Sequence, residues 1–291
     1  MTMPADEIPA RGRVGLALSG GGARGLAHIG VLKVLQSEGI DLDCLAGTSM
    51  GGVIAAGHAA GLSPESMQQE AQRLASARHL LSMVDRSLPR RGLLVGQRVS
   101  EHMAAYLGER SFEELRIPLT LVATDLNSCR AVYLSQGSLL EALRATISVP
   151  GMFAPVERNG QMLVDGGLLD NLPVGAARRM GADVVIAVDV TTDEHAVAEM
   201  GNSLSRRRVV PTGLAETIEV LGRSLLLMMG EMSRLRLAAD PPDVIIRPAL
   251  PPGITAFGGF SHAADIIALG EQAARKALPR IRQALNGSLP T

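Results

Sequence analysis

Ser19-Gly20-Gly21-Gly22-Ala23-Arg24-Gly25 (SGGGARG) stands between an apolar run, Val14–Leu18 (VGLAL), and a stretch of helical apolar spacing at residues 26–35 (LAHIGVLKVL). Ordering three adjacent glycines costs more backbone entropy than ordering any other triplet, so something must approach this backbone closely. The stretch predicts a short buried strand, a tight loop and a helix over about 25–38, ending near Gly39. A second unit of the same kind follows at once. A short strand at about 42–46 runs into Gly47-Thr48-Ser49-Met50-Gly51, and a helix continues to about Gly61. Two consecutive strand–loop–helix units imply neighbouring parallel strands with helices packed on the sheet.

The rest of the chain extends that pattern. Ser63 and Pro64 mark a helix start, with helical spacing to about Leu81. Residues 85–96 read as a loop and 98–107 as a helix. IPLTLVATDL and RAVYLS (residues 117–126 and 130–135) read as two neighbouring strands, 138–146 as a helix, and QMLVDGG (161–167) as a strand ending in a turn. Pro173 sits near another helix start, ADVVIAVDV (182–190) is a buried strand, 213–238 a long helix, DVIIRP (243–248) a last strand and 261–284 a last helix. The expected fold class is α/β: a mainly parallel central sheet covered by helices on both faces. Residues 1–12 and 286–291 are expected tails around one domain at 13–285. Within it, a helical insertion at about 62–115 is a candidate lid, and 191–212 a mobile loop.

Composition narrows the function. The net charge is −1 and aromatic residues make up 2% of the 291. Neither a basic field nor stacking platforms for bases are on offer, so no nucleic-acid partner is expected. The two cysteines, Cys44 and Cys129, make no disulfide framework, and Cys44 reads as a small core residue. No signal-peptide centre and no apolar run of about 18 residues appears, so the expected location is the cytoplasm, with contact at the inner membrane face. No H-E-x-x-H or C-x-x-C occurs, and no metal or cofactor is expected.

The glycine loop has competing readings. Gly20 to Gly25 fits G-x-G-x-x-G, but a dinucleotide site needs an acid at the far end of the next strand. Asp41 and Asp43 fall before or at the start of that strand, the wrong end of the sheet. The loop reads either as a tight turn alone or as an oxyanion hole. In the last case the backbone N–H groups of Gly20, Gly21 and Gly22 meet developing negative charge, aided by a helix N-terminus and by Arg24. Arg24 also reads as a plain surface arginine.

An oxyanion hole needs a nucleophile. Gly47-x-Ser49-x-Gly51, between a strand and a helix, has the context of a nucleophile elbow; otherwise Ser49 is a helix cap. Its hydroxyl needs a base. Of the six histidines, His28 and His58 lie inside helices, His79 and His102 in helical regions, and His195 in the expected loop. His262, at a helix start, is the best of them and stands last in the order expected of a histidine-dependent α/β-hydrolase. Asp165 has stronger context, at a strand end before Gly166 and Gly167. It reads as the base, its pKa raised by burial, or as a turn residue.

GGGARG, GTSMG and DGG in this order, with the text of 117–126, LRATISVPGMFAPV (143–156) and DGGLLDNLPV (165–174) between and around them, resemble the patatin-like phospholipase family. The likeness runs from about 14 to 190. It implies a three-layer α/β/α fold and a Ser49–Asp165 dyad without histidine. Gly20, Gly21 and Gly22 form the implied oxyanion loop, and Arg24, Gly25, Gly47, Gly51, Gly166 and Gly167 support the site. It also implies hydrolysis of phospholipid, lysophospholipid or simpler fatty-acyl esters through an acyl-enzyme. Thr146 departs from the family's Arg-Ala-Ser and carries an extra methyl group. The alternatives are a regulatory or nucleotide-binding protein and the histidine-dependent esterase.

On the helix at 213–238, Leu214, Ile218, Leu221, Leu225, Met228, Met232 and Leu235 recur at steps of four and three. This seam reads as packed on the sheet, as a homodimer contact, or as a peripheral membrane and acyl-chain contact. Arg90-Arg91 and Arg206-Arg207-Arg208 read as solvated loops or as partners of anionic headgroups.

Overall fold

The computed structural model describes residues 12–75, 96–191, 212–251, 254 and 259–287, with backbone alone for 212–219. The strands are β1 (Val14–Leu18), β2 (Cys44–Thr48), β3 (Leu119–Asp125), β4 (Arg130–Leu134), β5 (Val156–Arg158), β6 (Gln161–Asp165), β7 (Val184–Val188) and β8 (Val244–Ile246). The helices are α1 (Ala27–Ser37), α2 (Met50–Ala59), α3 (Pro64–Leu74), α4 (Gln97–Leu107), α5 (Leu139–Thr146), α6 (Val174–Arg179), α7 (Thr212–Ala239) and α8 (Ala263–Gly287). Ser63 caps α3 by accepting the Ser66 N–H, with Pro64 in the first turn, where its missing N–H costs nothing.

One eight-stranded sheet runs in the order β5-β6-β3-β2-β1-β7-β8, with β4 also on β3. The pairs β3–β2, β2–β1, β1–β7 and β7–β8 are parallel, as the alternation of strands and helices implies. The β3–β4, β3–β6 and β5–β6 pairs are antiparallel. β5 and the reversed direction of β6 are not anticipated from sequence. β5 and β6 form one hairpin, in which a short turn at 159–160 reverses the chain without a crossover helix, as the turn at 126–129 does between β3 and β4.

This arrangement decides the geometry of the site. β4 covers one edge of β3 from Leu121 to Asp125. The other edge is shared: β2 pairs with it up to Thr48↔Val122, and β6 begins at Ala123↔Asp165. Two strands therefore run towards each other along one edge of β3. The residue after Thr48 meets the last residue of β6 in the gap between them.

The two faces of the sheet bury different side chains. Leu16, Leu18, Leu45, Leu121, Leu163, Ile186 and Ile246 are fully or almost fully buried on the face that carries α1, α2, α5 and α8. Each contributes about 1.5–3 kcal/mol of apolar burial. The opposite face offers Ala17, Ala46, Val185 and Ala187 to Leu172, Val174 and Ala177 around the short α6. Cys44 is fully buried, as a small core residue, and burial pushes its thiol up to about 11. α1 and α8 touch backbone to backbone, because a Cβ on Gly30 would overlap the Ile267 carbonyl and one on Gly270 the Ala27 carbonyl.

Met67 and Ala71 of α3, Met103 and Leu107 of α4, and Phe112 join the main core, so the described parts of the 62–115 insertion are packed. Residues 76–95 of that candidate lid, with Arg90, Arg91 and His79, lie outside the described residues. So do 192–211 of the expected loop, with His195 and Arg206–Arg208. The seam on α7 does not pack as one face. Leu221, Met228 and Leu235 are 65%, 66% and 55% exposed. Leu225 and Met232 of the seam are half-buried, as are Met229 and Leu237 off it, Ser233 is buried, and Met229 reaches Gly167. Among the described residues no helix is long and apolar enough to cross a membrane.

Candidate functional site

The glycine loop leaves the carboxyl end of β1 and is held from several sides. Ser19 N–H donates to the Val188 carbonyl at 3.1 Å, and the Ser19 hydroxyl accepts Val190 N–H at 2.9 Å. His28, fully buried beneath the loop, pairs through Nε2 with the Ser19 carbonyl at 2.8 Å. Burial lowers its pKa to about 4, so the ring is neutral and donates that hydrogen bond. Gly20 differs from expectation. Its N–H donates to the Asn171 carbonyl at 3.1 Å and so is already engaged. The Gly21 and Gly22 N–H groups have no acceptor among the described residues. Gly20 instead provides room: a Cβ there would stand 3.1 Å from Ser49 Cβ and 2.5 Å from Asn171 Oδ1.

Arg24 is buried rather than on the surface. Its Nε donates to the Val190 carbonyl at 2.9 Å and its guanidinium reaches the Ile254 carbonyl at 3.4 Å. It ties the glycine loop to the segments that follow β7 and β8.

Ser49 sits at the β2–α2 junction with φ 52° and ψ −125°. A non-glycine residue in that region costs on the order of 1–3 kcal/mol and persists only where its surroundings hold it. The serine does not cap α2 with its side chain, so the capping reading fails. A Cβ on Gly51 would come within 2.5 Å of the Ser19 carbonyl oxygen, so glycine there lets α2 start against the end of β1. Gly25, Gly47, Gly166 and Gly167 are hemmed in likewise, by Met50, by Gly51 and Gly52, by Val122, and by Met229 and Asp165.

Asp165 is buried; its carboxylate takes a hydrogen bond from Gly167 N–H at 2.8 Å, and the Ser49 hydroxyl nearby favours its ionised form. The turn reading is thus correct in part: one carboxylate oxygen makes the turn while the group still faces the serine. Desolvation dominates and pushes the carboxyl from 3.8 up to about 6, against the Ser49 hydroxyl and the Gly167 N–H, which favour the ionised form. At neutral pH it is an ionised base with more proton affinity than an exposed carboxylate.

Among the described residues, no histidine joins this pair. His262 is exposed with its ring 3.7 Å from Asp265, His102 pairs with Glu70 at 2.9 Å, and His58 is lowered by burial. His262→Ala is expected to retain more than about half of wild-type esterase activity, measured on a soluble ester; a loss of more than about tenfold would restore the histidine. Nor does a nucleotide acid stand at the loop. Asp43 accepts Val14 N–H at 2.7 Å, at the opposite end of β1. Among the described residues no group of three or more His, Cys, Asp or Glu side chains is placed to hold a metal ion.

Sequence reasoning singles out Thr146 only for its extra methyl group and misses Asn171 and Asp170 as supporting residues. Thr146 accepts Ser49 N–H. Asn171 carries the carbonyl that engages Gly20, and its Nδ2 bonds Thr191 Oγ1 at 3.1 Å. Asp170 accepts the Tyr133 hydroxyl at 2.8 Å and lies 3.6 Å from Arg236 of α7, while its carbonyl accepts the Thr48 hydroxyl. The only signal for the last two is their closeness in sequence to Asp165.

A strained serine at a strand–helix elbow, facing a buried carboxylate beside a glycine loop on this sheet, defines a class of α/β protein. Residues 16–178 match the patatin-like phospholipase family, and the chain belongs to that family. An uncharacterized NTE family protein of Mycobacterium tuberculosis is 41% identical over 182 residues, 62% of this chain and 50% of that protein. The lysophospholipase nte1 of Aspergillus oryzae is 31% identical over 289 residues, 95% of this chain and 18% of that protein. Human patatin-like phospholipase domain-containing protein 6 is 35% identical over 197 residues, 66% of this chain and 14% of that protein. The chain thus matches half or less of the length of these relatives. Among solved structures, human GIVD cytosolic phospholipase A2 aligns with a TM-score of 0.47 at 13% identity, covering 96% of this chain and 60% of that one. VipD from Legionella pneumophila aligns at 0.46 and 13%, covering 96% and 67%.

Proposed function

We propose that this chain is a serine lipid acyl hydrolase, a carboxylic ester hydrolase that works through a Ser49–Asp165 dyad. The observation that carries the reading is the Ser49 hydroxyl, presented at positive φ beside the buried Asp165 carboxylate, whose ionised form it favours. Asp165 takes the hydroxyl proton as Ser49 Oγ bonds to the ester carbonyl carbon. The carbonyl oxygen becomes an oxyanion, held by the Gly21 and Gly22 N–H groups; one such donor supplies about 3 kcal/mol. The alkoxide leaves with the proton from Asp165. Water then repeats the sequence on the acyl-serine and releases the fatty acid. No metal or cofactor takes part.

Phospholipid, lysophospholipid and simpler acyl esters are the substrate class. The lysophospholipase name of the Aspergillus relative supports it, as does the mostly apolar helix α7 beside Gly167. The exposed Leu221, Met228 and Leu235 face a lipid surface in this reading, with a second copy of the chain as the other occupant. The salt dependence of vesicle binding separates the two.

A fluorophosphonate probe tests the chemistry. Labelling is expected at Ser49 alone, faster at pH 8 than at pH 5, because Asp165 loses its basic form below about 6. Absence of labelling over that range would return the glycine loop to a binding role.

A further inference from the structure

We propose that Thr146 is the positioning residue for the nucleophile, holding the elbow in place through the Ser49 N–H. The inference rests on the reading of Ser49 as nucleophile. Thr146 is the last residue of α5 and is fully buried. Its hydroxyl accepts Ser49 N–H at 2.9 Å and donates to the Val122 carbonyl at 2.5 Å. A hydroxyl has one proton to give, so the second bond fixes its lone pairs towards Ser49.

The position of that bridge matters. Val122 is the Cα partner of Thr48, and the next residue, Ala123, is the partner of Asp165. One hydroxyl therefore ties the elbow to β3 at the gap where β2 and β6 meet, the place where serine and carboxylate face each other. The methyl group is the second half of the device. Thr146 Cγ2 lies 3.3 Å from where a Cβ on Gly52 would stand, against the first turn of α2. A β-branched side chain is stiff at χ1, so packing the methyl aims the hydroxyl. The departure from the family's serine thus adds a wall that holds the rotamer.

Ser49 is at positive φ; its carbonyl accepts Val53 N–H at 3.0 Å in the first turn of α2, while its own N–H is held by the Thr146 side chain. With its N–H given to Thr146, Ser49 adds no free backbone donor of its own to those of the glycine loop. Losing the Thr146 hydroxyl frees the elbow to swing by a few tenths of an ångström, and displacement of that order at a reacting atom is costly in rate.

The test is a series in the full chain: Thr146→Ser, Thr146→Val and Thr146→Ala, each confirmed as folded by circular dichroism. Fluorophosphonate labelling rates and kcat and KM on a soluble ester are measured for each. Thr146→Ser is expected within about threefold of wild type, whereas Thr146→Val, which keeps the shape, loses about 30- to 100-fold in kcat and in labelling rate with KM nearly unchanged. Thr146→Ala is expected to match Thr146→Val, and stands in for it should the valine variant not fold. Equal rates for wild type and the variants lacking a hydroxyl would overturn the proposal. So would a serine variant as slow as valine, which would leave only a packing role. If wild type itself is not labelled at Ser49, the dyad reading falls and this proposal with it. If wild type is labelled and the valine variant is equally fast, this proposal alone falls.

Discussion

Ser49→Ala is expected to lower kcat/KM on p-nitrophenyl esters and phospholipids by at least about 10,000-fold and to abolish fluorophosphonate labelling. In the proposed mechanism the hydroxyl forms the covalent intermediate, and removing a nucleophile from a mutually dependent set eliminates nearly all that the set contributes. The fold should tolerate the change. The side chain makes no cap bond to α2, and the backbone N–H that Thr146 engages is retained. Ser49→Gly sharpens the point. Its backbone enters the region around φ 52° freely, so that variant should be equally inactive yet more stable by about 1–2 kcal/mol. Chemical denaturation with parallel activity assays reads both. Residual turnover above about 1% in Ser49→Ala would mean that another group performs the chemistry.

Asp165→Asn is expected to inactivate the protein and to stabilise it above pH 6. An amide accepts no proton, so activity falls by about 1,000-fold or more. The stability change follows from linkage. The carboxyl titrates near 3.8 when unfolded and at about 6 when folded. Between those values the folded state holds a proton that the unfolded chain has released. Stability therefore falls as pH rises through roughly 4 to 6 and stays lower beyond it. Two units correspond to about 3 kcal/mol, so an uncharged amide should recover on the order of 2–3 kcal/mol at pH 8 and almost nothing at pH 4. Urea unfolding at the two pH values is the measurement. A variant less stable than wild type at pH 8, or one that keeps its activity, would remove Asp165 from the site. Wild-type kcat/KM should show an acidic limb near pH 6.

Stability and function are opposed at this site. The strained Ser49 and the ionised, buried Asp165 each cost the native state free energy that a glycine or an asparagine there would save. Such costs persist where a reactive hydroxyl must be presented and a carboxylate kept basic.

The elements were largely legible in the chain. Apolar runs bounded by glycine gave β1, β2 and β7; Ser63-Pro64 marked α3; and the alternation in 117–135 announced the β3–β4 hairpin. Local signals of this kind act within a few residues, and sequence contains them directly. The elbow and the glycine loop were legible for the same reason, since each needs a particular residue type at a particular step along one strand–helix turn.

What only tertiary structure decided is how distant pieces meet. Asp165 was identified as a strand-end carboxylate, but not that its strand runs against β2 along a shared edge of β3. Strand direction depends on which edge is vacant, a property of the assembled sheet. The engagement of Gly20 by Asn171, the inward turn of Arg24 and the bridge from Thr146 to Ser49 are hydrogen bonds across long sequence separations. No periodicity encodes them. The α7 seam shows the limit from the other side: its spacing is a local fact, but which of its faces is covered depends on what else reaches it. Residue type and spacing determined which chemistry this protein can carry; burial and strand pairing decided which groups stand together and with what proton affinity.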